Sequence, residues 1–565
     1  MADPLLRRRA PGNPDALPSS LHPVLRRVYA ARGIAAGGEL ALDLEHLLAP
    51  WGLTDIERAC EILGGALREN RHIVIAGDYD ADGATSCAVA VSALRGMGAT
   101  RVSYIVPDRF RMGYGLSVPL VEQARSIGGE LLVTVDNGVS SHAGVAAAKA
   151  AGMQVIVTDH HLAGATLPEA DAMVNPNRPG DPFASKHTAG VGVIFYVMSA
   201  LRARLREAGW FRDRAEPNLA EMLDLVAAGT VADVVRLDRN NRILVGRGLA
   251  RIRAGRARPG LRALLRLGGR NEAEATAQDL GFVVGPRLNA AGRLEDMRAG
   301  IECLLAATDE AALPLAQKLD TLNRERRGIE QQMRDEAFAM ADGGKAVGVC
   351  LFEAGWHEGV VGIVASRVKD RVHRPVIAFA PAAEGGLLKG SARSIPGFHV
   401  RDALAAIDAR QPGLLERFGG HAMAAGVTLP AANLGRFQEA FDAICRERLD
   451  DAALERVIET DGELVDGDLV IETARALEHA GPWGQGFPEP MFDGAFEVLE
   501  CRTVGEHHAR YSLRTAAGKR MTALDFHGVE RAVKAGPVRA AYRLCVNRWQ
   551  GLEGAELTLA YLAAP

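Results

Sequence analysis

The chain has 565 residues, enough for roughly three or four domains with their own cores, which excludes a small single-domain protein. A net charge of −4 excludes an overall basic protein, so any nucleic-acid surface must be local. Seven scattered cysteines without a Cys-x-x-Cys pair argue against a zinc knuckle and a disulfide framework. No apolar run reaches about 18 residues and no signal-peptide core follows the N-terminal arginines, so we expect a cytoplasmic protein without membrane partners.

The first 307 residues predict an α/β domain with a lead-in and a helical extension. Residues 1–50 carry several prolines and are predicted to be a lead-in segment. Residues 51–200 alternate between short β-branched runs and Ala-rich helical stretches, with strands near 73–77, 103–106, 131–135 and 155–158. Such alternation is typical of βαβ units in a parallel sheet. Residues 201–307 have a mainly helical pattern and are expected to complete the site of this domain.

The remaining sequence predicts a long connecting helix and two further domains. Residues 308–342 carry one apolar stripe, and the polar residues between, such as Arg326 and Glu330, are expected to face water or a groove. A smaller α/β domain follows at 343–450. Residues 455–565 contain five candidate strands, which suit a closed β-barrel of oligonucleotide-binding (OB) type. These strands are placed near 492–499, 510–516, 520–526, 538–547 and 555–562.

Three of the short apolar runs end in acidic or imidazole side chains. Because the site of an open parallel sheet lies beyond the carboxyl ends of its strands, we expect these groups to converge on one edge. So many charges require a strong counter-charge, and divalent metal is the natural one. The residues concerned are Asp78, Asp80 and Asp82 after the first run, Asp136 after the second, and Asp159, His160 and His161 after the third.

Two other interpretations of these residues remain open. The Asp78-x-Asp80-x-Asp82-Gly83 pattern also begins a helix–loop–helix calcium site, but position twelve of that loop would be Val89 instead of Glu, and a strand precedes it. Asp136 and Asp159 could each simply cap a following helix. The joint occurrence of ligands after all three runs weakens that second interpretation.

Carboxylate and imidazole groups without thiolate favour Mn²⁺ or Mg²⁺ over a closed zinc site. Two such ions about 3.5–4 Å apart, bridged by a carboxylate, form a hydrolytic centre that acidifies water and neutralises charge on a phosphoryl oxygen. We find no motif for peptide hydrolysis. The sequence therefore favours phosphoester hydrolysis.

In its motifs the chain resembles the DHH phosphoesterases. Four ordered segments carry the resemblance: Asp78–Gly83, Asp136–Gly138, Asp159–His161 and Thr230–Asp233. The stretch Gly420–Gly426 is similar to the DHH-associated domain that follows them. Within that superfamily the chain is similar over nearly its whole length to RecJ-type exonucleases, through segments 285–294, 355–365 and 482–490.

The resemblance implies a role for each site residue. Asp80 and Asp82 would each hold one ion, Asp136 would bridge the two, and Asp78 would bind directly or from behind. His160 and Asp233 would complete the coordination shell of one metal ion. Asp136 and His160 would count among the catalytic residues as well as among the metal ligands. His161 would stabilise charge at the scissile phosphate or protonate the leaving oxygen. Asp159 would orient the histidines instead of binding metal.

Candidate substrate-binding residues lie in three segments. The first segment follows a sheet strand and contains Arg109, Arg111 and Tyr114. The second is flanked by glycines, so that its backbone could approach a phosphate, and contains Arg287, Asn289 and Arg293. The third set lies beside glycines and, with the resemblance, suggests an anion pocket for the 5′ end; it comprises Ser391, Arg393 and His421. The nine arginines from 242 to 270 are either a solvated face or a phosphate-tracking wall. Barrel aromatics left exposed could stack bases, with at least half of the set expected in the core: Trp483, Phe492, Tyr511, Phe526, Tyr542 and Trp549.

The leading hypothesis is a Mn²⁺- or Mg²⁺-dependent 5′→3′ exonuclease on single-stranded DNA that releases mononucleotides during recombination and repair. A small-substrate DHH phosphodiesterase, acting on short oligoribonucleotides or cyclic dinucleotides, is one alternative, which the added barrel disfavours. A non-catalytic strand-binding replication scaffold is the other, which the complete ligand set disfavours. The family resemblance suggests a monomer, with a helicase and a single-strand-binding protein as candidate partners.

Overall fold

A computed structural model of the chain describes residues 3–109, 111–342, 345–383, 385–526, 528–549 and 552–564. The chain divides into two compact units. The larger comprises Leu6–Asp320 and Glu459–Pro565, and the smaller comprises Thr321–Ile458 with the first residues of the chain. None of the helices in the described residues is long and apolar enough to cross a membrane.

Strands and helices alternate along the first half of the chain, as the sequence predicts. In chain order they are β1 (Leu5–Arg8), α1 (Pro23–Ala30), α2 (Ile56–Arg68), β2 (Ile73–Ala76), α3 (Ala81–Gly96), β3 (Val102–Ile105), α4 (Val118–Ser126), β4 (Leu131–Val135), α5 (His142–Ala150), β5 (Gln154–Thr158), β6 (Ala172–Val174), α6 (Gly190–Glu207), α7 (Leu223–Ala232), α8 (Arg239–Arg251), α9 (Pro259–Leu267), α10 (Ala277–Asp279), α11 (Gly285–Leu294), α12 (Arg298–Leu305) and α13 (Asp309–Ala341). A π-helical turn at Leu280–Val284 joins α10 to α11.

Five of these strands form a parallel sheet in the order β3-β2-β4-β5-β6. Strands β2 and β4 are buried along their whole length, which explains their uninterrupted apolar runs. Because β2, β4 and β5 are adjacent and parallel, the loops after all three leave the same edge. The sheet therefore gathers the residues that follow these strands.

Helix α7 is followed by Asp233, the one candidate metal ligand that was not expected after a strand. Its residues Leu223–Thr230 are all buried, and it packs against α3 and α8. A Cβ on Gly248 of α8 would lie 2.2 Å from the carbonyl oxygen of Leu223, so glycine lets the two helices approach closely. This packing fixes the C-terminal end of α7, where Asp233 caps the helix.

The smaller unit contains a second α/β fold. Its elements after α13 are β7 (Val349–Phe352), α14 (Val361–Val372), β8 (Val376–Pro381), β9 (Leu387–Arg393), α15 (Val400–Arg410), β10 (Arg417–Gly420), β11 (Ala424–Pro430) and α16 (Leu434–Arg448). Strand β12 (Val457–Thr460) follows and pairs with β1. Five strands form a mixed sheet in the order β10-β11-β9-β8-β7, in which only the β7–β8 pairing is parallel among those described. Phe379, Phe437 and Phe441 are fully buried in its core.

A closed five-stranded barrel ends the chain. Helix α17 (Ile471–His479) precedes strands β13 (Phe492–Val504), β14 (His508–Thr515), β15 (Arg520–Asp525), β16 (Gly536–Trp549) and β17 (Leu552–Ala563), in the order β13-β14-β15-β17-β16. All five predicted strands are present. Phe492, Tyr511 and Tyr542 point inward and are buried, as is Trp483 before the barrel, whereas Phe526 is half exposed. The side chain of Trp549 lies outside the described residues.

The predicted fold class is confirmed: an α/β multidomain chain with a parallel-sheet domain, a long helix, a smaller α/β domain and a C-terminal barrel. One expectation about the long helix was wrong. Arg326 and Glu330 do not face water but are buried, with Arg326 bonded to Glu330 and to Asn323. An amphipathic pattern predicts that charged residues face water. It cannot identify two opposite charges that are buried because they form an ion pair with each other.

Two glycine substitutions test the close approach of α7 and α8. Gly248→Ala should lower the thermal unfolding temperature, because its Cβ would overlap the Leu223 carbonyl and push α7 away. Gly65→Ala in α2 is the matched control, since its Cβ would meet only Arg71 at 3.6 Å. That change should be neutral or stabilising by roughly 0.5–1 kcal/mol. Equal effects of the two changes in calorimetry would contradict the packing argument.

Candidate metal centre and substrate-binding residues

The loop after β2 is built by backbone hydrogen bonds to its own carboxylates. Asp78 accepts the N–H of Tyr79 at 2.8 Å, and Asp80 caps α3 by accepting the N–H of Gly83 at 3.0 Å. A Cβ on Gly83 would lie 2.7 Å from the backbone N and O of Asp78. Glycine at this position is therefore required for the tight turn that brings the aspartates together.

Asp82 is buried against the N-terminus of α6. Its carboxylate accepts the N–H of Gly190 at 2.7 Å and that of Val191 at 2.9 Å. Unpaired N–H groups at a helix N-terminus stabilise negative charge. A Cβ on Gly190 would lie 2.6 Å from Asp136, so this glycine also leaves room for a second carboxylate.

His160 lies at the centre of three carboxylates. Its Nε2 is 3.1 Å from Asp136, 3.4 Å from Asp233 and 3.9 Å from Asp82. The buried Oδ1 of Asp136, Oδ2 of Asp233 and Nε2 of His160 have no hydrogen-bond partner in the described residues. Buried polar atoms left in this way call for a ligand that the protein does not itself supply.

His161 is held by Asp159. The Asp159 carboxylate accepts the His161 Nδ1–H at 2.8 Å and the backbone N–H groups of His160 and His161, and its other oxygen accepts from Val139. The hydroxyl of Tyr114 lies 3.0 Å from His161 Nδ1. Asp159 thus bonds neighbouring backbone and imidazole, and it caps no helix.

Burial and crowding shift the pKa values of the site. Burial, together with the charge of Asp233, raises the pKa of Asp82 to about 7, and burial with the charge of Asp80 raises that of Asp233 to about 8. Burial and the Asp82 charge likewise raise the pKa of Asp136. Burial alone would lower the pKa of His161, but the bond to Asp159 raises it to about 9. The protein alone therefore cannot hold all these carboxylates ionised at neutral pH.

The donor set fits divalent cations. Three overlapping groups offer ligand atoms within 4.8 Å of one another: Asp78, Asp80 and Asp136; Asp82, His160 and Asp233; and Asp136, His160 and His161. Asp136 and His160 belong to two groups each, and the Asp136 carboxylate is the shared group that could bridge two neighbouring ions. Oxygen and imidazole donors suit Mn²⁺ and Mg²⁺.

Two of the three candidate substrate residues after β3, Arg109 and Tyr114, border this centre. Arg109 lies over the ring of Tyr79 at 4.7 Å, in a cation–π contact. Tyr114 is half exposed and packs its ring edge-on against His161 with centroids 5.6 Å apart. Arg111 is exposed, 3.8 Å from Asp108. The loop after β3 therefore brings one aromatic and one cationic side chain to the candidate metal ligands, and no contact places Arg111 there among the described residues.

Helix α11 supports the Asp78–Asp82 loop. Asn289 accepts the N–H of Ala81 at 2.8 Å, and a Cβ on Gly292 would lie 1.8 Å from the carbonyl oxygen of Tyr79. Arg287 is bonded to Asp320 at 2.8 Å, with its side chain 12% exposed. Arg293 is partly buried nearby, where its charge acts on Tyr79. Gly292 is therefore needed for the contact between α11 and the Asp78–Asp82 loop.

In the smaller unit, Ser391 and Arg393 lie together on β9. The Arg393 guanidinium donates to the Ser391 hydroxyl at 2.9 Å, and a Cβ on Gly362 in the first turn of α14 would lie within 2.9 Å of both side chains. Both therefore reach the N-terminus of α14, where N–H groups favour an anion. His421 is exposed, and its backbone N–H donates to Ala424.

Some supporting residues escaped the sequence reasoning. Asn175 and Asn177, after β6, donate to the carbonyl oxygens of His161 and His160 at 2.9 and 2.6 Å. Polar residues directly after a parallel strand lie at the edge that carries the site, so the same argument applied to β6 would have identified them. Gly362 lies in the family-like segment 355–365, but the sequence did not link it to Ser391 and Arg393, which are distant along the chain.

The arginine-rich stretch 242–270 is largely engaged within the protein. Arg262 pairs with Asp309, Arg270 pairs with Asp279, and Arg253 donates to the carbonyl of Ala275. Arg242 is buried over the ring of Phe487. These partners lie outside the stretch in sequence. The arginine count of the stretch is therefore larger than the number of arginines left to contact a substrate.

The chain matches three family models: "DHH family, N-terminal domain" at residues 72–230, "DHHA1 domain" at 343–447 and "RecJ OB domain" at 460–561. It is 52% identical to the single-stranded-DNA-specific exonuclease RecJ of Dickeya dadantii, with 98% of each chain covered. It is 49% identical to that of Escherichia coli, with 97% of this chain and 96% of the other covered. Its fold is similar to the crystal structure of Thermus thermophilus RecJ with Mn²⁺, with a TM-score of 0.83, 31% identity, and coverage of 99% of this chain and 80% of that one.

The fold and the carboxylate-rich centre define a metal-dependent phosphoesterase of the DHH class. The curated relatives and the similar solved structure reported above are all RecJ proteins within that class. The chain belongs to the RecJ family of single-stranded-DNA-specific exonucleases. Thermus RecJ structures with Mn²⁺ and with Mg²⁺ agree with the cations that the donor set favours.

Metal binding should release protons. Asp82 and Asp233, with pKa values of about 7 and 8 in the metal-free protein, retain protons at and below neutral pH that a cation must displace. Mn²⁺ affinity should therefore rise between about pH 6 and 9. Titration calorimetry in buffers of different ionisation enthalpy measures the protons released, and Asp233→Asn should reduce their number. Equal heats in all buffers would contradict the raised pKa values.

Proposed function

We propose that this chain hydrolyses single-stranded DNA from its 5′ end and releases 5′-mononucleotides, using two Mn²⁺ or Mg²⁺ ions. The observation that carries the proposal is the set of overlapping ligand groups that share Asp136 and His160. Asp78, Asp80, Asp82, Asp136, His160 and Asp233 are the proposed ligands. The barrel after the DHHA1 domain favours a polymeric substrate over a dinucleotide, and the complete ligand set disfavours a non-catalytic scaffold.

The ions, when bound, would neutralise charge on the phosphate and lower the pKa of water. The protein supplies position. Asp82 in α3 and Asp136 after β4 meet beside Gly190, so one helix end fixes two proposed ligands from different elements. Because Asp159 bonds His161 Nδ1, the imidazole is oriented, and Nε2 is the nitrogen proposed to face the scissile phosphate or the leaving oxygen.

The 5′ end is proposed to bind in the smaller unit. Ser391, Arg393 and the N-terminus of α14 form an anion site, with His421 as a further candidate. Arg109, Arg111 and Tyr114 are proposed to contact the strand beside the metal centre. Arg287, Asn289 and Arg293 are retained as candidates, acting mainly by holding the Asp78–Asp82 loop.

The cellular context is also proposed. The exonuclease would act in the cytoplasm during DNA repair and recombination, as a monomer. A helicase would expose the strand and a single-strand-binding protein would present it, because the enzyme acts on single strands.

Carboxylate substitutions test the centre. Asp136→Ala should abolish release of label from 5′-labelled single-stranded DNA with Mn²⁺, because the shared ligand is lost. Asp159→Asn should lower the rate about 10- to 100-fold, since it only orients His161 and supports its charge. Asp213→Ala, an exposed carboxylate of the same unit, is the control and should be unaffected. Label leaving first from the 3′ end, or equal cutting of blunt duplex, would refute the proposal.

An arginine substitution tests the 5′-end site separately. Arg393→Gln should raise KM for 5′-phosphorylated strands with a smaller change in kcat, because a charge-assisted bond to the terminal phosphate is lost. Strands with a 5′-hydroxyl should respond less. The matched control is Arg401→Gln, an exposed arginine on α15. Equal losses with both kinds of 5′ end would remove Arg393 from the proposed anion site.

A further inference from the structure

Val234 has a backbone conformation that valine rarely adopts. Its φ is +60°, and it directly follows the candidate ligand Asp233. Aspartate, asparagine and histidine enter this left-handed region several times more often than other residues, whereas a β-branched residue there is an outlier. Among the described residues, the other non-glycine positions with positive φ are all of these tolerated kinds: Asp55, Asn70, Asp136 and His373. Val234 is therefore strained, and such strain clusters at functional sites.

The position of Val234 would suit glycine better. The Val234 N–H donates to the carbonyl oxygen of Val231 at 3.2 Å, as a left-handed residue does just beyond the C-terminus of a helix. Glycine is the usual residue there, because it has no Cβ to clash with the neighbouring carbonyl. The valine side chain is 65% exposed, so burial within the protein does not compensate the strain. A contact with a group outside the chain would compensate it.

The surface around Val234 is apolar. A Cβ on Gly281, in the π-helical turn before α11, would lie 3.2 Å from Cγ1 of Val231, so this turn packs directly against the end of α7. The next residue of the turn, Phe282, is 79% exposed. Exposed apolar side chains that are grouped together indicate a binding surface. We refer to Val231, Val234 and Phe282 as the apolar rim.

The substrate group that can reach the apolar rim is a sugar. Consecutive Cα atoms are about 3.8 Å apart, so the side chain of Val234 begins next to Asp233. When a phosphate lies at the metal centre, the groups bonded directly to it are the two sugars on either side. Polar groups border the centre at the loop after β3, through Arg109 and Tyr114. The phosphate oxygens suit that polar side, and a sugar suits the apolar rim.

We propose that the apolar rim contacts a sugar next to the scissile phosphate and disfavours a 2′-hydroxyl, so that DNA is selected over RNA beside the metal centre. The 2′ position of deoxyribose is a methylene group, which packs against valine without loss. A ribose hydroxyl would leave water for side chains that offer it no hydrogen bond, which is unfavourable. The proposal rests on the proposed function, because it concerns the sugar of that same substrate. An apolar surface rejects an added hydroxyl by a factor of about 10 to 100.

The test uses 5′-phosphorylated DNA strands in which one of the two nucleotides flanking the first scissile bond is a ribonucleotide. Wild type should cleave at least one of these chimeric strands with a kcat/KM about 10- to 100-fold below that of the all-DNA strand. Val234→Thr keeps the size and the β-branching and adds a hydroxyl that can bond the ribose, so this ratio should fall towards one. Val234→Ile should keep the wild-type ratio. The matched control is Val465→Thr, at a 67% exposed valine of the same unit.

A glycine substitution measures the strain independently of activity. Val234→Gly should raise the unfolding temperature in EDTA by about 2 °C, because the strain is relieved, and should reduce the discrimination between the two sugars. A lower unfolding temperature with an unchanged ratio would show that the residue is only structural.

Two further outcomes separate this proposal from the proposed function. Equal kcat/KM values of wild type for DNA and for both chimeric strands, or an unchanged ratio in Val234→Thr, would overturn the role of the rim and leave the exonuclease activity intact. A wild-type chain that cleaves no DNA would refute the proposed function, and the role of the rim with it.

Discussion

Repulsion among carboxylates confined to one small volume is the constraint on which this structure depends. Asp78, Asp82 and Asp136 are buried, and Asp80 and Asp233 lie within ligand distance of them. Backbone N–H groups compensate part of this charge, most clearly at the N-terminus of α6. They leave the inner oxygens of Asp136 and Asp233 without a hydrogen bond in the part of the chain that the structure describes, although both lie near the His160 imidazole. Since an unpaired buried charge is costly, the centre is stable in its ionised form only with cations.

The same constraint explains the glycines around the centre. Carboxylates from separate strands and helices can meet only if the backbone between them approaches closely. Gly190 touches Asp136, Gly229 leaves room for Asp82, and Gly292 lies against the Tyr79 carbonyl. At each position a Cβ would come within 3 Å of another atom. The glycines are therefore part of the metal centre although they offer no ligand atom.

Local pattern and strand geometry were enough to predict the parallel sheet and the convergence of most of the candidate ligands at its edge. Residues after β2, β4 and β5 had to converge, because parallel strands end at one edge. Pairings between distant segments could not be predicted in this way. Arg287 meets Asp320, and Arg262 meets Asp309, although neither partner shares its local segment. Asp233 was placed only through family resemblance, since it ends a buried helix whose direction no periodicity reveals.

A centre made of carboxylates and imidazoles recognises a phosphate, and phosphates are alike in every strand, sequence and direction. Polarity and strandedness must therefore come from groups that recognise something else. The anion site proposed at Ser391 and Arg393 would recognise a terminal phosphate, which exists only at an end. Exposed rings such as Phe526 can recognise unpaired bases, which duplex DNA keeps stacked. In the proposed function, chemistry and selection are therefore separate. The parallel sheet positions the candidate metal ligands, and the two added domains are proposed to recognise the substrate features that a metal centre cannot distinguish.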